Sequence, residues 1–91
     1  MNEKILNDNQ CHPLNIIRML ELAERFSMAK SSAYDRIANG LIAPGISLGG
    51  RSKGYLESEV NAVLKAMIAG KSEAEIKALV CELVKQRQDL V

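Results

Sequence analysis

A mainly α-helical fold with one small β-hairpin is what the sequence predicts, and three observations carry that expectation. Apolar residues recur at helical spacing in four separate stretches beyond residue 13. Between the second and third of these, "LIAPGISLGGRSKGYLE" (Leu41 to Glu57) breaks the helical period at Pro44 and Gly45. It then alternates apolar and polar positions on the way to a Gly49–Gly50 pair. Finally, only "SMA" (Ser27 to Ala29) separates the first two helical stretches, so they read as a pair joined by a tight turn.

The chain has 91 residues, 47% of them hydrophobic and 25% charged, as expected of one small globular domain. It contains no Trp and a single Phe, Phe26, so its core must be aliphatic. No apolar run approaches the roughly 18 residues of a transmembrane helix. The opening "MNEKILNDNQCHP" mixes acids and bases and does not fit a signal peptide, so a cytoplasmic protein is expected. Cys11 and Cys81 are far apart and neither belongs to a CxxC pair, which predicts reduced thiols.

Residues 1–13 have few apolar positions and are expected to form a flexible polar arm. In "MLELAERF", Met19, Leu22, Ala23 and Phe26 fall on one helical face. "KSSAYDRIANG" is a second helix, with Ala33 and Ile37 inward and Gly40 as its stop. The hairpin follows, with Ile46 and Leu48 on the outgoing strand and Tyr55 anchoring the return strand. "ESEVNAVLKAMIAG" is a third helix, with Val60, Val63, Leu64, Met67 and Ile68 on one face and Gly70 at its end. In the fourth, Ser72 and Glu75 have the spacing of a capping box, and Ile76, Leu79, Val80, Leu83 and Val84 form a stripe. Residues 14–70 are thus expected to form one domain, with residues 71–91 as an added amphipathic helix.

Two short helices joined by a tight turn form a helix-turn-helix unit, whose second helix can enter a DNA major groove. Its outward face here is Lys30, Ser31, Ser32, Asp35, Arg36 and Asn39. Lys and Arg reach phosphates or guanine edges, Ser bonds to either, and Asn suits adenine. A solvated helix face has the same composition, so the hairpin matters. Gly49, Gly50, Arg51, Ser52 and Lys53 form a glycine-tipped, basic apex. Such a wing can approach a phosphate backbone closely and displace its counterions. The net charge of +1 conceals this concentration: over residues 26–55, Lys30, Arg36, Arg51 and Lys53 face Asp35 alone.

The stretch "FSMAKSSAYDRIANGLIAPGISLGGRSKGYLESEV" resembles the AlpA family of prophage regulatory proteins. These are small winged helix-turn-helix proteins related to the MerR-like DNA-binding domain and to phage excisionases. The resemblance lies in the serine- and base-rich "KSSAYDRI", the proline-containing strand, "LGGR", the aromatic Tyr55 and the helix-opening "ESEV". It covers Arg18 to Ile68. It implies sequence-specific binding of double-stranded DNA, either as a transcriptional regulator of an integrated element or as an excision factor working with an integrase. Lys30, Ser31, Ser32 and Arg36 match the recognition-helix positions, and Arg51 the wing arginine. Ser27 stands where members commonly have Gly, Ala29 where a capping Ser is usual, and Asp35 where a base is frequent.

Enzyme chemistry is not expected. His12 lies beside Cys11 in the polar arm, and no acid is spaced to complete a triad. A Cys11–His12–Cys81 metal site would lack a fourth ligand. "GISLGGRSKG" lacks the Gly-Lys-Ser/Thr ending of a phosphate-binding loop. No cofactor, small-molecule substrate or membrane is expected. A different class of function, a protein–protein module, is offered by the stripe Ile76, Leu79, Val80, Leu83 and Val84. Its candidate partners are a second copy of the chain, an integrase or RNA polymerase, and its alternative role is packing on the third helix.

Overall fold

The computed structural model describes residues 14–90, so the expected arm over residues 1–13 lies outside the described residues. Helix α1 (Met19–Arg25) buries Leu22 and Ala23 and is closed by Phe26, itself 9% exposed. The chain reverses at once because Ser27 adopts φ 54, a left-handed conformation. Its N–H donates to the Glu24 carbonyl, and the Met28 N–H donates to the Ala23 carbonyl. This pair of bonds is a Schellman ending, in which glycine is the usual left-handed residue. Helix α2 (Lys30–Ala38) follows, with Ala33 fully buried against α1 and Ile37 packed on the core. Its own end has the same two bonds, there with Gly40 in the left-handed position.

The wing is a hairpin of β2 (Ile46–Gly49) and β3 (Ser52–Leu56), antiparallel, with Ile46 opposite Gly54 and Ser47 opposite Lys53. Its register slips between Ser47 and Gly49, where the turn glycines take φ 105 and φ 56. An additional strand, β1 (Ile16–Ile17), pairs with the other edge of β3, so the sheet has order β1-β3-β2. Sequence periodicity cannot detect a two-residue strand, and only the hairpin was expected. Gly54 sits at the centre of this sheet. A Cβ there would fall inside the Ile16 side chain and press on Leu48, so the two apolar side chains close over the strand because it carries none.

Helix α3 (Glu57–Ile68) buries Val60 and Val63, with Leu64 and Met67 packed beside them. Ile68 does not join this face: it is 84% exposed, having rotated off the stripe at the last turn. Helix α4 (Glu73–Gln86) begins with the expected capping box, Ser72 Oγ accepting from the Glu75 N–H and Glu75 Oε1 accepting from the Ser72 N–H. Ile76 and Val80 are buried, and Leu83 and Val84 pack on the core, so much of the stripe is taken up within the chain. Of the two roles expected for this stripe, packing accounts for Ile76 and Val80, which are withdrawn from solvent and enlarge a small core. Leu41, Ile42 and Ala43, in the aperiodic link from α2 to β2, are also buried. Each large apolar side chain fully buried in this way contributes about 1.5–3 kcal/mol.

Two ion-pair groups tie the helices together. Glu59, 4% exposed, accepts from Arg87 Nε at 2.8 Å and Nη2 at 2.7 Å, and Nη2 also donates to the Pro44 carbonyl. Arg87 opens the 3-10 turn Arg87–Leu90 after α4, so this fork fastens the C-terminal end to α3 and to the loop before β2. Arg25 Nη2 donates to Glu57 at 2.6 Å and Glu21 at 2.7 Å, joining α1 to the start of α3. Asn15 Nδ2 also donates to Glu57.

Ser27→Gly should stabilise the protein by about 1 kcal/mol, because a left-handed L-residue costs about 1–2 kcal/mol and glycine returns part of that in chain entropy. For a domain of this size the melting temperature should rise by about 4–8 °C, measurable by circular dichroism. A second expectation concerns acid. Hydrogen bonds from Asn15 and then Arg25 hold the Glu57 carboxyl below its usual range, and bonds from the Ser72 backbone and side chain do the same for Glu75. Their folded pKa values are depressed, so their stabilisation is present above the unfolded pKa and lost as pH falls through the folded values. Glu57→Gln/Glu75→Gln should therefore be less stable than wild type near neutral pH. The gap should close as pH falls through and below the ordinary carboxylate range.

Candidate nucleic-acid interface

At about 100° per residue, the buried Ala33 and the partly buried Ile37 define the inner side of α2, and the other side chains form an arc around the rest. Lys30, Ser31, Ser32, Tyr34, Asp35 and Asn39 are all exposed. Lys30 and Tyr34 occupy the margin toward the wing, and Asp35 and Ser31 the outermost ridge. Arg36 lies at the opposite margin and differs from expectation. It is only partly exposed, and its Nε is buried with no hydrogen-bond partner. Its stem is thus drawn toward the body of the domain, away from the crest of the helix.

No side chain caps α2, because the N-cap residue is Ala29, and its first turn carries no acid. The leading N–H groups of the helix therefore keep their partial positive charge unopposed by a carboxylate. At the wing apex, Gly49, Gly50, Arg51, Ser52 and Lys53 are all exposed, and Ser47 Oγ accepts from the Gly49 N–H at 3.3 Å.

Helix and wing meet across a concavity of about 520 Å³. Its rim carries Arg18, Lys30, Arg51 and Lys53, with the exposed Leu20 and Tyr34 and the partly buried Met19 beside them and the buried Tyr55 at its floor, and it has no acidic lining residue. Tyr55 is 5% exposed and its hydroxyl pKa is raised, first by burial and then by the neighbouring Tyr34, so the floor stays uncharged. A set of convergent cations around a neutral, aromatic floor suits an extended anion with some apolar surface, such as a sugar–phosphate backbone.

Arg18 is the site residue that sequence reasoning missed. It lies in a segment where acids outnumber bases, outside the basic middle of the chain. What brings it to the wing is the pairing of Ile17 with Tyr55, one residue earlier. Two adjacent isoleucines before Arg18 were the available signal, too short to distinguish from the first turn of a helix.

The remaining candidates are elsewhere. Cys81 is an exposed free thiol on α4, and Cys11 and His12 lie outside the described residues. Among the described residues no cluster of three His, Cys, Asp or Glu is placed to hold a metal ion, and no helix is long and apolar enough to cross a membrane.

Residues 15–65 match the family described as Prophage CP4-57 regulatory protein (AlpA), a span that includes β1, the helix pair, the wing and most of α3. Over 55 residues the chain is 34% identical to "Uncharacterized protein ORF88" of Enterobacteria phage P4, covering 60% of this chain and 62% of that relative. No solved structure matches the chain. With more than half of its length inside the family match, the chain belongs to the AlpA family of prophage regulatory proteins.

Proposed function

We propose that this protein binds double-stranded DNA sequence-specifically and regulates transcription from a prophage or other integrated element. Helix α2 enters the major groove while the wing lies along the flanking backbone. The observation that carries this reading is the rim of Arg18, Lys30, Arg51 and Lys53 around one acid-free concavity between helix and wing. One strand of the duplex would run over that concavity, its phosphates meeting the four cations. Neutralising phosphates releases condensed counterions, so affinity should fall steeply with salt. Ser31, Ser32 and Asn39 face outward from the same helix and supply hydrogen bonds for base edges. A single module of this size reads few base pairs, and useful specificity calls for a second copy or a partner protein on an adjacent site.

Membership in a regulatory family supports the regulatory half of the proposal. An excision factor would use the same contacts and differ in where its site lies.

The test is a mobility-shift titration against DNA from the protein's own genetic neighbourhood at two salt concentrations. Wild type is compared with Arg18→Ala and with Arg51→Ala/Lys53→Ala. A discrete complex should survive competitor DNA and weaken with salt. Each lost phosphate contact should reduce the slope of log affinity against log salt by about 0.9. A site at a promoter fits the regulator, and one at an attachment site fits an excision factor. Equal, weak binding by wild type and both variants at low salt would refute the DNA reading and return attention to protein partners.

A further inference from the structure

We propose that Asp35 reads a base: its carboxylate accepts a hydrogen bond from a cytosine amino group on the floor of the major groove, fixing one position of the protein's DNA site. The inference rests on α2 being the recognition helix and goes further by assigning a role to the residue least suited to a DNA-facing surface. An acid among phosphates is repelled, so its position has to be accounted for.

The geometry of α2 does so. At about 100° per residue, Asp35 points almost opposite the buried Ala33 and the partly buried Ile37, along the line on which the helix would advance into a groove. Its neighbours one turn away are Ser31, Ser32, Ala38 and Asn39, none of them charged. The cations of the helix stand aside: Lys30 faces the wing and Arg36 lies at the far margin with its Nε buried. Among the described residues Asp35 takes part in no ion pair, because the acids so paired are Glu21, Glu57 and Glu59. Phosphates therefore meet the margins of the helix and its wing, and Asp35 meets the groove floor.

On that floor the hydrogen-bond donors are the amino groups of cytosine and adenine. Adenine presents its N7 lone pair beside the amino group, which repels the second carboxylate oxygen. Cytosine has no acceptor next to its amino group on the same base, and it is the usual partner of an acidic side chain. Opposite guanine or thymine oxygens, a desolvated carboxylate would be left without a donor, which penalises those bases directly.

The experiment is selection from a randomised duplex library, with wild type, Asp35→Asn and Asp35→Ala taken through identical rounds. Circular dichroism confirms that each is folded. The wild-type motif should contain a cytosine column that Asp35→Asn moves toward adenine and Asp35→Ala flattens. On the selected duplex, replacing that C·G pair should weaken wild-type binding about five- to tenfold and leave Asp35→Ala almost unaffected. Asp35→Ala should also bind random duplex more tightly than wild type, since a charge facing the phosphates has been removed. Identical motifs for all three proteins would overturn this inference while leaving DNA binding intact. If wild type enriches no duplex at all, the proposed function fails and this inference fails with it.

Discussion

Strand β3 is held along both of its edges, and the placement of every candidate contact depends on this. On one side β2 completes the wing; on the other, the two residues of β1 lead directly into Arg18 and α1. A hairpin joined to the domain only through its ends would be free to swing. Here Tyr55 and Leu56 are buried in the body of the protein, and Ile16 lies over Gly54. The wing tip is therefore carried by a strand whose other end is part of the core, at a fixed distance from α2. The dependence on glycine at position 54 follows from the same packing, since two neighbouring side chains occupy the space a Cβ would need.

Charge is sorted in a related way. The net charge of +1 is too small to suggest a polyanion partner. Three of the acids, however, are matched inside the fold. Glu21 and Glu57 share Arg25, and Glu59 forks with Arg87. Both groups lie on the α1–α3–α4 side. Among the described residues the cations at the rim of the concavity enter no ion pair. The surface potential between α2 and the wing is consequently more positive than the composition implies, and local potential, not net charge, governs encounter with a polyanion.

Much of the fold was legible because it follows from local patterns of adequate length. The apolar periods of α1 to α4, the capping box at Ser72 and Glu75, and the turn glycines each occupy enough residues to be distinguished from chance. For the left-handed Ser27 the one signal was the resemblance, since it stands where members commonly have Gly. What escaped reading was set by contacts between distant parts of the chain. Strand β1 has two residues and no period. Arg18 reaches the site only through it, and Leu41 to Ala43 are buried without regular structure. Ile68 shows the converse limit, as a residue can fit a helical stripe and still extend past the surface it was expected to cover.

The fourth helix bears on how so small a domain carries so exposed a helix as α2. Helix α2 contributes little to the core, with Ala33 alone fully buried among its residues, so it cannot stabilise its own position by burial. Its support has to come from elements behind it. Ile76 and Val80 of α4 enter the same cluster of buried residues as Ala33, Leu22 and Val63, and Gly40 at the end of α2 lies next to Lys77. Arg87 then fixes the far end of α4 to Glu59 and to the Pro44 carbonyl, in the very segment that leads from α2 to the wing. Removing apolar surface from α4 would therefore loosen the relation between α2 and the wing without touching either. The apolar stripe thus belongs largely to the scaffold, which leaves the polar arc of α2 free at the surface.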